Sequence, residues 1–255
     1  MVLKRLKKMA ATAALAITAA SAGNFGALES STPPALLTGY TVHSAPAAKV
    51  EVLCLKPGQS LASFARSTKG KYAWAVNANY FEERTRTPIG FLIDNGKRVK
   101  SLSPKASRTA VGIFKDNGRA RVLVGRMLHT ASGKLYAHGN INWLDAFEAV
   151  QGGPKLVEDG KVIVGTTGYN EGFNTEFFKR LTRRTVAGID RNGNLKVLVF
   201  HADVSLKRAA QVAKNNGLQQ AVNLDGSKST VLIKGGKLVL HTKGVRPPVF
   251  LAARK

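Results

Sequence analysis

The chain has 255 residues, enough for one large domain with a hydrophobic core. It contains 39 Lys and Arg against 15 Asp and Glu, which gives a formal net charge of +24, and it has one cysteine. The single cysteine excludes an internal disulfide, and the high positive charge favours polyanionic partners.

The N-terminal segment has the pattern of a targeting signal. Basic residues precede a short apolar stretch at residues 9–20, and Ala20-Ser21-Ala22 has the small-x-small form of a cleavage site. We expect residues 1–22 to be a signal peptide and the protein to be exported, to the periplasm or the medium; an uncleaved anchor is the alternative. The remaining apolar runs are too short to cross a bilayer, so we expect no transmembrane span after signal removal.

The next segment predicts a boundary between flexible and folded chain. Residues 23–48 are rich in Ala, Ser, Thr and Pro, which indicates a linker or flexible arm before a folded domain at residues 49–255. Within that domain, five segments place Asn-Gly, Asp-Gly or Gly-Gly between two apolar runs. These dipeptides supply the positive φ that tight turns need. The predicted hairpins are residues 91–99, 111–124, 156–164, 187–200 and 231–240.

Helix signals are fewer. Ser60 is a good cap for a helix that continues through Ser67, and Ser205 for a helix from Leu206 to about Asn215. Residues 143–150 are a third candidate helix. The predicted fold is therefore one α+β domain, with a hairpin-rich antiparallel or mixed sheet and two or three packed helices.

One segment stands out as a candidate site. The apolar run Ala221-Val222-Asn223-Leu224 predicts a buried strand that ends in Asp225, and Gly226, Ser229 and Thr230 follow. A buried strand fixes the carboxylate, and a glycine lets a ligand approach the backbone. The alternative is an Asx-turn in which Asp225 binds the next backbone amides.

This segment resembles the signature Asn-Leu-Asp-Gly-Gly-Gly-Ser-Thr of the phosphodiester glycosidase family. Three other segments resemble family motifs in the expected order, and together the four cover roughly residues 50–255. Ser227 and Lys228 replace the second and third signature glycines. Whether this chain retains a function that needs backbone without side chains at these two positions is therefore open. The three further segments are Asn77-Ala78-Asn79-Tyr80-Phe81 with Pro88-Ile89-Gly90, the stretch 152–160, and the stretch 184–190.

The resemblance implies catalytic roles for three residues. Asp225 is the candidate acid/base or metal ligand, and Asn77 would hydrogen-bond sugar or phosphate unless it caps a turn. Arg184 begins the third motif, and its planar guanidinium suits a phosphate; a surface position on an edge strand is the alternative.

Further residues are candidates for substrate binding. Tyr80 could stack on a sugar ring or belong to the core, and Arg246 could bind substrate or be a basic tail residue. The remaining candidates are Gly153, Gly226, Ser229 and Thr230. Asp190 ends the third motif and could meet Asp225, and such a pair would suit Ca²⁺ or Mg²⁺.

Two pairs of segments also resemble each other. The stretch that begins with Arg108-Thr109 resembles the stretch that begins with Arg184-Thr185. Likewise, Ala75-Val76-Asn77 resembles Ala221-Val222-Asn223. This pattern indicates either an old duplication, with two Asn-ended strands side by side, or chance among common β sequences.

The predicted function is an exported hydrolase that cleaves a sugar–phosphate diester, or a related glycosidic bond, in envelope or exopolysaccharide material. The alternative is a non-catalytic binder of an anionic cell-envelope polymer. In either case the partner is an anionic carbohydrate or envelope polymer. Nucleic acid is not expected, because export separates the protein from it.

Overall fold

The computed structural model describes residues 39–100, 107–129, 135–137, 141–165 and 171–255. The helices are α1 (Leu61–Ser67), α2 (Thr175–Lys179) and α3 (Leu206–Asn215). The strands are β1 (Tyr40–Ala45), β2 (Val50–Cys54), β3 (Tyr72–Asn77), β4 (Leu92–Asp94), β5 (Lys97–Lys100), β6 (Thr109–Asp116), β7 (Arg119–Arg126), β8 (Leu128–His129), β9 (Leu135–Ala137), β10 (Ile141–Asn142), β11 (Glu148–Gln151), β12 (Lys155–Glu158), β13 (Lys161–Val162), β14 (Thr185–Asp190), β15 (Leu195–Phe200), β16 (Leu218–Asn223), β17 (Leu232–Lys234), β18 (Lys237–Leu240) and β19 (Val249–Arg254).

The described residues form mainly β structure. A six-stranded sheet has the order β1-β15-β14-β16-β12-β13, one five-stranded sheet β5-β4-β11-β6-β7, and the other β18-β17-β3-β19-β2. A small sheet of β10-β9-β8 accompanies them. Every strand pair among these residues is antiparallel. The α+β prediction therefore holds in its coarser form, as antiparallel sheet with few helices.

The core lies where the three larger sheets meet. One buried cluster contains Trp74 and Leu251 from one five-stranded sheet, Val111 from the other, and Val197 and Val222 from the six-stranded sheet. Helix α3 covers the outer face of the six-stranded sheet, and α1 covers β3, β17 and β19. Burial of these apolar faces is the main force that holds the sheets together.

All five predicted hairpins are confirmed, as β4–β5, β6–β7, β12–β13, β14–β15 and β17–β18. Their turns have the backbone geometry that the dipeptides favour. In the first, Asn95 and Gly96 have φ of 51° and 73°, and in the last, Gly235 and Gly236 have φ of 59° and 79°.

Two of the three predicted helices are confirmed. The Ser60 and Ser205 side chains accept hydrogen bonds from Ser63 N at 3.1 Å and Arg208 N at 3.2 Å, as N-caps do. The helix prediction for residues 143–150 is wrong. Trp143–Asp145 is a single 3₁₀ turn and Glu148–Gln151 is the central strand β11, because pairing with β4 and β6 outweighs local propensity. Helix α2 was not predicted.

The folded chain begins inside the predicted linker. Residues 40–45 form edge strand β1, which pairs along β15, and Ala45 enters the core. The predicted signal peptide and residues 23–38 of the predicted linker lie outside the described residues. Within the part of the chain that the structure describes, no helix is both long enough and apolar enough to span a bilayer.

Candidate active site

The site lies where β3, β14 and β16 meet at one end of their sheets. The backbone N–H of Leu224 donates to Thr185 O at 2.8 Å, and that of Asp225 to Ala78 O at 3.0 Å. The segments that leave β3 and β16 therefore run side by side. The two Asn-ended strands belong to different sheets, but their ends converge on this point.

Asn77 is fully buried and links three segments of the site through its side-chain amide. Its Nδ2 donates to Asp225 O at 2.6 Å. Its Oδ1 accepts from Thr185 Oγ1 at 2.9 Å and from Val231 N at 3.0 Å. Both ends of the amide thus bind protein, which agrees with the turn-capping alternative, and Asn77 fixes the position of the Asp225 loop.

Asn223 plays a similar role, although the sequence analysis did not place it in the site. Its Nδ2 donates to Tyr80 OH at 2.7 Å and to Leu224 O at 2.7 Å, and its own carbonyl accepts from Gly153 N at 2.8 Å. Tyr80 OH in turn donates to Gly153 O at 2.8 Å. The second of the two similar Asn-ended segments was the signal that could have identified it.

Asp225 is the titratable group at the centre. Its side chain is partly buried, and its Oδ1 accepts a hydrogen bond from Gly226 N at 2.8 Å. Burial raises the pKa of this carboxyl from 3.8 to about 7; hydrogen bonds from Ser229 and Gly226 oppose the shift, and the charge of Glu83 adds to it. The carboxyl therefore gains and loses a proton near neutral pH, as a general acid or base must.

Tyr80 belongs both to the site and to an aromatic cluster. Burial, followed by the charge of Asp225, raises the pKa of its phenol, so the hydroxyl stays protonated. Its ring centroid lies 5.8 Å from that of Phe173 and 6.3 Å from that of Phe177. The structure thus places the ring against two half-buried aromatic side chains and leaves the hydroxyl near Asp225.

Arg184 does not have the predicted geometry of a phosphate ligand. It is buried, with 3 % of its surface exposed, so the edge-strand alternative is wrong as well. Its Nη2 donates to Arg180 O at 2.7 Å and to Phe177 O at 3.3 Å, the carbonyls at the end of α2. The guanidinium therefore anchors α2 against the sheet.

Arg108 is a cation of the site that the sequence analysis missed. Its guanidinium carbon lies 4.3 Å from the Phe173 ring centroid, and its charge lowers the pKa of Tyr80. Among the described residues its guanidinium makes no hydrogen bond or ion pair. A ring holds it in place, and no described residue occupies the N–H groups that could bind an anion. Its resemblance to Arg184, which also begins an Arg-Thr segment, was the only sequence signal.

The packing of the loop after Asp225 explains why position 226 is a glycine. Gly226 has extended backbone, with φ of −150°, so no positive φ is required of it. A Cβ at this position would lie 2.6 Å from Arg183 O. Glycine therefore allows close approach to the protein's own backbone. The positive φ, 59°, falls on Ser227, which also donates through its N–H to Arg183 O at 2.7 Å.

The other predicted substrate-binding positions differ in their access to the site. Gly153 has φ of 118°, and a Cβ there would lie 2.9 Å from Glu171 Oε2 and from the Phe173 ring, so this glycine fits the chain's own packing. Ser229 binds Asp225, whereas Thr230 is fully buried under the loop. Arg246 lines a separate surface depression beside α1, with Leu238 and His241.

The predicted pairing of Asp190 with Asp225 is wrong. Asp190 lies opposite Leu218, at the other end of β14 from the site. Its carboxylate accepts from Asn192 N at 2.9 Å and Asn194 N at 3.0 Å, and closes the β14–β15 turn. Across the described ranges, no three His, Cys, Asp or Glu side chains are grouped so as to hold a metal ion.

Comparisons with known proteins agree with this architecture. The family model described as phosphodiester glycosidase matches residues 70–249. The catalytic domain of zebrafish N-acetylglucosamine-1-phosphodiester alpha-N-acetylglucosaminidase, auto-inhibited by its pro-peptide, superimposes with a TM-score of 0.61 at 18 % identity, over 85 % of this chain and 83 % of that one.

Two bacterial structures are similar at the level of the fold. A hypothetical protein from Synechocystis has a TM-score of 0.63 at 17 % identity, over 84 % of this chain and 59 % of that one. A protein from Burkholderia pseudomallei described as exported has a TM-score of 0.63 at 14 % identity, over 84 % of this chain and 73 % of that one. A search of curated protein sequences finds no match.

Proposed function

The chain belongs to the phosphodiester glycosidase family of hydrolases, and on that premise we propose that it cleaves the bond between the anomeric carbon of a sugar and a phosphodiester oxygen. The observation that carries the proposal is Asp225, a carboxyl whose pKa lies near 7 at the end of a buried strand. Asn77 and Asn223 hold the loop around it in place. Such a group can exchange a proton with substrate or water at neutral pH.

The chemistry of the leaving group removes the need for an acid that protonates it. Ordinary glycosidases need a second carboxyl to protonate an alcohol as it leaves. A phosphate monoester, with its second pKa near about 6, leaves without that help. Asp225 accepts a proton from the water that attacks the anomeric carbon. The carbon–oxygen bond breaks, its electron pair stays with the phosphate oxygen, and the products are a free sugar and a phosphate monoester.

Arg108 takes the role that the sequence analysis gave to Arg184. Its N–H groups, which no residue in the described part of the chain engages, can donate to two phosphate oxygens, and the Phe173 ring holds the guanidinium in position. The Tyr80 hydroxyl, protonated at neutral pH, donates to Gly153 O and accepts from Asn223 Nδ2, so it positions the Gly153 segment beside Asp225.

Isotope tracing with a matched variant tests the proposal. Hydrolysis of a sugar-1-phosphodiester in ¹⁸O-labelled water should leave the phosphate monoester unlabelled, because water attacks carbon. Asp225→Asn should lose about 10²–10⁴-fold in turnover. Asp190→Asn, which removes the same charge at the far end of β14, should keep wild-type turnover. Label in the phosphate, or equal loss in both variants, would contradict the assignment.

Export to the cell envelope is the second part of the proposal. It rests on the basic and apolar start of the chain and on Ala20-Ser21-Ala22, and one structure similar in fold is a protein described as exported. The substrate is then a sugar–phosphate linkage of envelope or exopolysaccharide material. N-terminal sequencing of the exported protein should start at Gly23. A product that starts at Met1 would refute cleavage of the signal peptide.

A further inference from the structure

One end of a five-stranded sheet carries a cation at every strand. Strand β18 begins with Lys237 and β17 ends with Lys234. Strand β19 ends with Arg254, and Lys71 and Lys49 directly precede β3 and β2. All five side chains are exposed. We call these residues, Lys49, Lys71, Lys234, Lys237 and Arg254, the cationic row.

The strand register places the five residues at the same end of the sheet, at two levels. Lys234 pairs with Lys237 and with Trp74, and Arg254 pairs with Tyr72, the residue after Lys71. Ala253 pairs with Val50, next to Lys49. Neighbouring strands are about 4.8 Å apart, so the row is about 19 Å long. Because Lys234 lies level with Trp74, three residues from Lys71, the charges form a stepped band across the end of the sheet.

The charge of the row is poorly compensated. Arg254 forms an ion pair with Glu51, its Nε lying 3.0 Å from Oε1. The four lysines of the row have no ion pair with any residue that the structure describes. Lys69 adds to the row, since it lies against Gly236 in the β17–β18 turn. Such closely spaced positive charges repel one another in the free protein and attract an anion strongly.

The row is far from the candidate active site. Strand β3 runs from Tyr72, at the row, to Asn77, at the site. Five steps of an extended chain separate the two ends by about 17 Å. A ligand on the row would therefore leave Asp225 and Arg108 free.

We propose that the cationic row binds a linear polyanion whose charges are phosphate or sulfate groups. A narrow band of single charges matches a chain of repeating anions better than it matches a membrane surface. A peripheral membrane site also needs exposed apolar side chains, and Val239 is the one large exposed apolar residue on this sheet within the described chain. The row thus holds the protein on an anionic polymer while the distant site acts on a phosphodiester.

Charge-matched variants test the inference. The triple variant Lys71→Gln, Lys234→Gln, Lys237→Gln removes three charges from the row. The control variant Lys97→Gln, Arg98→Gln, Lys100→Gln removes three exposed charges from edge strand β5, so both variants have the same net charge. Binding of fluorescent linear polyphosphate and of dextran sulfate is measured by anisotropy over a range of salt concentrations.

The row variant should bind polyphosphate at least about tenfold more weakly than the control at physiological salt. Its slope of log Kd against log salt should fall by about two, since each phosphate contact contributes about 0.7–0.9. A variant with Arg at the same three positions should bind like the wild type. Equal losses in the row and control variants would overturn the proposal, because net charge alone would then explain binding.

Two further measurements separate the alternatives. If the row variant loses binding to anionic phosphatidylglycerol vesicles but keeps binding to both polymers, the surface is a membrane site and the proposal is wrong. Turnover of a small sugar phosphodiester by the row variant should equal that of the wild type. The inference is therefore independent of the proposed function, since polymer binding can be lost with turnover intact.

Discussion

The high proton affinity of Asp225 should affect the free energy of unfolding as well as the activity. Burial raises the pKa of this carboxyl from 3.8 to about 7, a difference of about three pH units. A raised pKa means that the folded state holds a proton more tightly than the unfolded state. Ionised Asp225 therefore destabilises the fold, and the cost grows as pH rises from about 4 to about 7. Asp225→Asn removes the charge and keeps an oxygen that can accept from Gly226 N.

The expected gain follows from the size of the shift. At 1.36 kcal/mol for each unit, the upper limit is about 4 kcal/mol. The side chain is only partly buried, so solvent screening lowers this to about 2–3 kcal/mol. Urea unfolding at about pH 8.5 should show Asp225→Asn to be more stable than the wild type by this amount, and unfolding at about pH 4 should show nearly equal stability.

Asp190 is a control in which ionisation should have the opposite effect on the free energy of unfolding. Although burial acts to raise its pKa, hydrogen bonds from Asn194 and Asn192 and the charge of Lys196 lower it. Ionised Asp190 therefore stabilises the fold above the unfolded pKa, and the contribution disappears as pH falls. Asp190→Asn should lose stability at neutral pH. A gain for Asp225→Asn that does not change with pH, or a loss at high pH, would refute the argument about burial.

Three other substitutions test the arrangement of the site. Gly226→Ala should destabilise by about 1–3 kcal/mol and reduce turnover, because its Cβ would lie 2.6 Å from Arg183 O; unchanged stability in urea would contradict this contact. Ser227→Gly should stabilise by about 1 kcal/mol, because it relieves a left-handed backbone with φ of 59°, and an unchanged melting temperature would argue against strain there. Arg184→Met should destabilise by about 2–3 kcal/mol, because it leaves the Arg180 and Phe177 carbonyls without their donor; wild-type stability with weakened substrate binding would restore Arg184 as a phosphate ligand.

The parts of the fold that sequence predicted are those set by local chemistry. Asn95-Gly96 can adopt the left-handed geometry of a tight turn without tertiary contacts, and Ser205 can cap a helix wherever it lies. Strands β1 and β11 were missed because neighbours decide their conformation. Tyr40–Ala45 has the composition of a linker, and it is a strand because β15 offers it an edge.

The candidate site was predicted to a similar extent. Position in a motif identified Asp225, and its role as an acid or base stays a prediction. Sequence could not show the direction in which a side chain points. Arg184 begins a family motif but binds the end of α2, and Arg108 is brought beside Tyr80 by folding of a distant strand. The Arg184 contacts depend on how α2 packs on the strand that follows it, and the Arg108 contact depends on packing between two sheets, so a local pattern carries little information about either.

The pH dependence of kcat/KM for a sugar-1-phosphodiester tests the central claim most directly. The substrate does not titrate between about pH 5 and about pH 9, so the profile reports groups of the free enzyme. If Asp225 is the general base, kcat/KM should rise with pH and level off above an apparent pKa near 7, the value that burial gives this carboxyl. Asp225→Asn should lack both the activity and the inflection. A flat profile, a rate that falls with increasing pH, or wild-type turnover in the variant would contradict the assignment.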